Sequence, residues 1–160
     1  ASRNVLHESS RISRGEIQDL DSLNPSEFEA IVFPGGFGAA LHLCNWAQKG
    51  SKCDVLPSVQ KAVNSFYEAG KPIGAFCIAP VLMARVLGDK GVTVTIGSDQ
   101  ETAQEIEKTG AQHEDCEVTD FITDREHKVV TTPAYMYGDA KPNQVFEGIQ
   151  KAIHELTEMA

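Results

Sequence analysis

An alternation of short apolar runs with longer amphipathic stretches constrains this chain more than any other feature. "EAIVFPGG" (29–36) is halted by Pro34, Gly35 and Gly36, and predicts a buried strand entering a tight turn. "PSVQKAVNSFYEAG" (57–70) sets Val59, Ala62, Val63, Phe66 and Tyr67 on one helical face, opened by Pro57 and closed by Gly70. "KPIGAF" (71–76) predicts a second buried strand. "IAPVLMARVLG" (78–88) is apolar nearly all round and predicts a buried helix ending near Gly88. "VTVTIG" (92–97) predicts another strand, and "SDQETAQEIEKTG" (98–110) a helix with a capping box on Ser98 and Glu101. "EVTDFITDREHKVVTT" (117–132) predicts two short strands joined by a charged turn at 124–127. A last helix over 140–158 aligns Phe146, Ile149, Ala152, Ile153 and Leu156. Strands alternating with helices require a largely parallel sheet covered on both faces, hence an α/β fold. No repeat or linker interrupts the 160 residues, so one domain over 1–160 is expected.

Composition narrows the function. A net charge of −9 argues against nucleic acid as a partner, because phosphate binding needs clustered Lys and Arg. No apolar stretch approaches the roughly 20 residues that span a membrane. The four cysteines, Cys44, Cys53, Cys77 and Cys116, are scattered without a CxxC pair. A disulfide framework is not expected in a chain with this much core, and reduced thiols point to a cytoplasmic setting. Cysteines and histidines show no zinc spacing, so no metal is expected. "GGFGAA" lacks the G-x-G-x-x-G order, so no dinucleotide cofactor is expected.

One thiol stands apart. Cys77 in "GAFCIAP" falls where a predicted strand ends and a helix begins. Such an elbow lifts the side chain above the sheet and aims free helix N–H groups at the sulfur, an environment that favours thiolate. Gly74, three residues earlier, permits close packing. The Gly35–Gly36 turn can offer a backbone N–H which, with that of Ile78, makes an oxyanion hole. The competing reading is a buried, inert cysteine, common for this residue type.

"RNVLHESSRISRGEI", "FPGGFGAA", "GKPIGAFCIAP" and "KVVTTPAYM", in that order along the chain, resemble the ThiJ/PfpI branch of the class I glutamine amidotransferase-like superfamily, and within it the ElbB-type isoprenoid-biosynthesis glyoxalases. The resemblance implies a flavodoxin-like three-layer sandwich, a homodimer, and a cysteine at the elbow matching Cys77. It implies glyoxalase chemistry that needs neither glutathione nor metal: a small aldehyde or dicarbonyl such as glyoxal converted to a hydroxy acid. It also implies a longer amino end, by roughly 60 residues on domain size, carrying the first strand and helix and the acidic base that contacts the thiol. No residue of this chain takes that role. A sheet without that strand would leave apolar surface to be covered. The alternative is a thiol-based redox-sensing or binding module in which Cys77 is oxidised and turnover is slight.

The remaining candidates are weaker. Gly35, Phe37, His42, Pro133 and Tyr135 are expected to border the substrate pocket, the last two from "TTPAYMYGD" (131–139). Some relatives place a histidine beside the thiol, where this chain has Ile78, or after the next strand, where it has Ser98 and Asp99. His113 reads as a surface residue, and His7, His127 and His154 as solvated. Cys44 is expected to pack, Cys53 to be exposed and oxidisable, and Cys116 to be blunted by acidic neighbours. Arg3, Arg11 and Arg14 are candidates for holding an anion, though surface ion pairs explain them better.

Overall fold

The computed structural model describes residues 2–160. The chain opens with α1 (Val5–Ser13), capped by the Asn4 side chain, none of whose residues is buried. β1 (Ile31–Phe33) leads through a glycine turn into a π-type turn over Ala39–Leu43 and the short α2 (Trp46–Lys49). α3 (Pro57–Glu68), β2 (Ile73–Phe76) and α4 (Pro80–Leu87) follow. Next come β3 (Thr93–Val94), α5 (Gln100–Glu107) and β4 (Gln112–His113). β5 (Ile122–Asp124), β6 (Val129–Thr132) and α6 (Pro142–Met159) complete the chain.

The main sheet has the order β1-β2-β6-β5. β2 is parallel to both neighbours, with Ile31 opposite Ile73 and Gly74 opposite Val130, and only β5 runs antiparallel. β3 and β4 form a separate parallel pair. It is an α/β fold, as the alternation predicts, and of the flavodoxin-like type that the resemblance implies.

Strand alternation sorts the core into two layers. Ile31, Phe33, Ile73, Ala75 and Val129 face one side and pack with α3 and α4, where Phe66, Leu82 and Met83 are fully buried. Val32, Phe76 and Val130 face the other side and meet Ala152 and Leu156 of α6. Gly74 belongs to this second face, where an added Cβ would lie 3.3 Å from Val32 and 3.5 Å from Leu156. β1 is an edge strand with Ile31 and Val32 half-buried.

The two sheets are tied together by side chains at the end of β5. Asp124, only 8% exposed, accepts from the Thr93 N–H at 2.7 Å, the His127 N–H at 3.0 Å and the His127 ring Nδ1 at 2.8 Å. His127 is therefore a buried partner rather than the solvated residue expected; its ring also stacks on Tyr67. Higher up, the buried Thr131 Oγ1 accepts from Thr95 N–H at 3.0 Å.

Two helix details differ from the sequence reading. α5 is capped by Asp99, whose carboxylate accepts from Thr102 N–H at 2.9 Å, one residue beyond the expected Ser98. On α6 the buried positions are Val145, Gly148, Ala152 and Leu156, while Phe146 is 65% exposed. Gly148 sets that phase: an added Cβ would meet Thr132 Oγ1 at 3.1 Å and press still harder on the Val118 carbonyl oxygen. The helix backbone comes too close there for a side chain, which rotates the bulky Phe146 outward.

Candidate active site

The elbow after β2 is built from backbone hydrogen bonds. Cys77 N–H donates to the Thr132 carbonyl at 3.0 Å, extending the β2–β6 ladder one residue past the strand. The chain then turns, with Cys77 at φ +60° and Ala79 N–H closing onto the Phe76 carbonyl at 3.0 Å. A side chain held in this left-handed region costs about 1–2 kcal/mol, and such strain gathers at functional sites. Gly35 and Gly36 also have positive φ, +93° and +83°. Gly35 lies directly behind the elbow: a Cβ there would sit 2.8 Å from the Cys77 Cβ. Glycine is thus required for the end of β1 to close onto the end of β2.

Cys77 and Ile78 open onto a cavity of about 460 Å³ that is also bordered by Gly36, Phe37 and Tyr135. Five of the residues expected at the site are therefore brought together. Gly35 supports the cavity from behind. Pro133 is buried and does not line it. His42 is exposed and borders a different cavity of about 530 Å³ beside α1, shared with Arg3 and Glu8. Arg3 and Arg11 pair with Glu8 on that exposed helix, at 3.9 and 3.3 Å, as surface ion pairs.

Sequence reasoning missed the far wall of the cavity. Trp46 and Ala47 come from α2, Thr102 from α5 and Met136 from the loop after β6. Only Trp46, a single large aromatic in the loop region after the glycine turn, gave any signal. Among the described residues, no carboxylate or imidazole lines the cavity. Nor does the N–H of Gly36 or of Ile78 find a protein acceptor among them.

The other histidine and cysteine expectations need correction. The His113 side chain is only 3% exposed, not a surface group, and its Nε2 accepts from Ile96 N–H at 3.1 Å. Burial holds that imidazole below its ordinary range, the neutral form the hydrogen bond requires. Cys53 is 1% exposed, not a loop-surface thiol. Cys116 is pushed up to about 12, by burial first and then by Asp120, Glu117 and Glu114. Cys44 is buried, as expected.

Cys77 is the one half-buried cysteine; the other three are buried. Brief treatment of the native protein with iodoacetamide should label Cys77 first and leave the others until denaturant is added. Peptide mass mapping checks this, and equal labelling of Cys53 and Cys77 would contradict the described burial.

A parallel sheet, a strained cysteine elbow and a glycine turn packed against it define a cysteine-elbow protein of flavodoxin-like fold. Residues 16–137 match the DJ-1/PfpI family, and the chain belongs to that family. It is 44% identical to human glutamine amidotransferase-like class 1 domain-containing protein 3, mitochondrial, over 99% of this chain and 61% of that protein. It is 42% identical to the rat ES1 protein homolog, mitochondrial, over 99% of this chain and 62% of that protein. The chain thus spans under two thirds of the length of these relatives. Among solved structures it resembles an isoprenoid biosynthesis protein with an amidotransferase-like domain from Ehrlichia chaffeensis, with a TM-score of 0.89 and 37% identity, covering 98% of this chain and 71% of that one. The mitochondrial relatives overturn the cytoplasmic expectation. Unpaired cysteines report reducing conditions and do not by themselves identify a compartment.

Proposed function

We propose that this chain carries the thiol centre of a glyoxalase-like enzyme that converts small dicarbonyls to hydroxy acids without glutathione. The observation that carries the reading is Cys77 itself, half-buried at φ +60° on an elbow and bordering a cavity of about 460 Å³ that Gly36 and Ile78 also line. The Cys77 sulfur attacks one aldehyde carbon of glyoxal, and the carbonyl π electrons move to oxygen. The Gly36 and Ile78 N–H groups hold that oxyanion. A base removes the hydrogen from the attacked carbon and a proton is returned to the second carbon, leaving a thioester of glycolate. Water then cleaves the thioester, so glyoxal and one water give glycolic acid. No group lining the cavity can act as that base. The family resemblance implies an acidic residue amino-terminal to this region, so turnover is expected of the full-length protein.

The test incubates full-length protein with glyoxal and follows glycolate by proton NMR. Catalytic accumulation of glycolate is expected. If none forms while mild peroxide converts Cys77 to sulfinate, the enzyme reading is wrong and the thiol serves as a redox sensor.

A further inference from the structure

The far wall of the Cys77 cavity is held from outside itself. Trp46 and Ala47 belong to a segment over 45–54, which includes α2 and closes on itself. Its ends are drawn together where Cys44 bridges Val55 antiparallel, with Leu56 N–H donating to Leu43 C=O at 2.9 Å. Inside it, Asn45 N–H donates to Asp54 C=O at 3.2 Å, Asp54 N–H returns to Asn45 Oδ1 at 2.7 Å, and Cys53 N–H closes onto Gly50 C=O at 2.9 Å. A compact loop laced in this way moves as a unit. The points that tie it to the rest of the fold therefore decide where Trp46 and Ala47 stand.

Two side chains from other elements make such ties. Arg85 of α4 donates from Nε to the Cys53 carbonyl at 2.7 Å. Glu105 of α5 accepts from Ser51 N–H through Oε2 at 2.9 Å. Its other oxygen, Oε1, pairs with Lys108 on the next turn of the chain. Lys108 first, and then the Ser51 contact, hold the Glu105 carboxyl down at about 2, so the acceptor is ionised at neutral pH. Gly50 makes room for it: the residue has φ +52°, and an added Cβ would lie 2.6 Å from Glu105 Oε2. α5 also delivers Thr102 to the cavity, three residues before Glu105. The hydrogen bond from Ser51 thus joins the two parts of the far wall, Thr102 on the helix and Trp46 with Ala47 on the loop.

We propose that Glu105 is a positioning residue of the Cys77 cavity: its carboxylate fixes segment 45–54 to α5 and so sets where Trp46 and Ala47 meet a bound substrate. Glu105 itself does not line the cavity and touches no reacting atom. Its kinetic consequence rests on the dicarbonyl reading above; its mechanical one rests on the hydrogen bond alone. Contacts from Trp46 and Ala47 act away from the reacting sulfur and hold the ground state and the transition state alike. Loosening them raises KM and leaves kcat nearly unchanged.

The test compares full-length wild type with Glu105→Ala, which removes the acceptor, and Glu105→Gln, whose amide oxygen still accepts from Ser51 N–H. Hydrogen–deuterium exchange read by mass spectrometry should show peptides covering 45–50, which exclude Ser51 itself, exchanging about fivefold faster in Glu105→Ala, the size expected of one lost hydrogen bond. Glu105→Gln should stay close to wild type, and the peptide carrying Cys77 should be unchanged in all three. Exchange over 45–50 that is the same in Glu105→Ala as in wild type would overturn the proposal. So would a Glu105→Gln protein that behaves like Glu105→Ala, because the accepted hydrogen bond would then not be the cause. With glyoxal, Glu105→Ala should raise KM by about fivefold and keep kcat within about twofold, while Glu105→Gln keeps both. A fall in kcat at unchanged KM would overturn the positioning role. A wild type that forms no glycolate fails the dicarbonyl reading instead, and the exchange rates then decide the role of Glu105.

Discussion

Cys77→Ser should lower glycolate formation by at least about 1,000-fold while leaving the thermal midpoint unchanged, and Cys77→Gly should abolish activity while raising that midpoint. The first expectation follows from covalent chemistry, since a serine hydroxyl at the same place, unlike a thiol, does not ionise near neutral pH, and the loss of a nucleophile is typically of this size or larger. The second follows from the backbone. Cys77 sits at φ +60°, where a Cβ costs about 1–2 kcal/mol and glycine costs nothing. Glycine returns part of that gain through its greater freedom in the unfolded chain, leaving about 1 kcal/mol and a rise of about 2–4 °C. Melting curves of the three proteins, run beside the glyoxal assay, check both. A glycine variant that melts lower than wild type would remove strain as the explanation of the elbow.

Asp124→Ala should cost about 3–5 kcal/mol, the largest effect on stability expected of a single polar side chain here. Its carboxylate takes three hydrogen bonds, from Thr93 N–H and from both the N–H and the ring of His127. Removing it leaves those buried donors unpaired at the junction of the two sheets. Burial alone would raise this carboxyl, but the hydrogen bonds and His127 outweigh it and hold it below the usual carboxylate range. Because the folded state keeps the proton off, stability from this group is complete above about pH 4 and is lost as pH falls through its folded value. Urea midpoints between pH 6 and 2 should therefore drop more steeply for wild type than for Asp124→Asn. Parallel curves would mean that Asp124 is not linked to folding.

The layers of the fold were legible in the sequence because each depends on neighbours along the chain. Runs such as "AIVF" and "PIGAF" mark buried strands by themselves, and the glycine turn and Cys77 sit at their ends by necessity. Side chains whose surroundings come from elsewhere were not legible. His113 looks like a surface residue in "TGAQHED", yet its ring is buried by the packing of β3 and β4 and held by Ile96. Cys53 sits in a polar run, "KGSKCDV", but its loop folds back against Arg85 of α4. Phe146 fits the apolar period of α6 as well as Val145 does. Only the approach of Gly148 to Val118 chooses between them, a contact 30 residues apart in the chain. The cavity follows the same rule: its elbow was readable, while Thr102 is delivered by a helix that begins beyond the next strand.

α1 carries a consequence of a different kind. Its nine residues form a capped, charged helix with no buried side chain. Exchanges among helix-forming residues at its exposed positions Val5, Arg11 and Ile12 should therefore stay within about 0.5 kcal/mol. Any sequence restraint acting on this stretch must be imposed by what the helix touches in its working surroundings, not by the architecture beneath it.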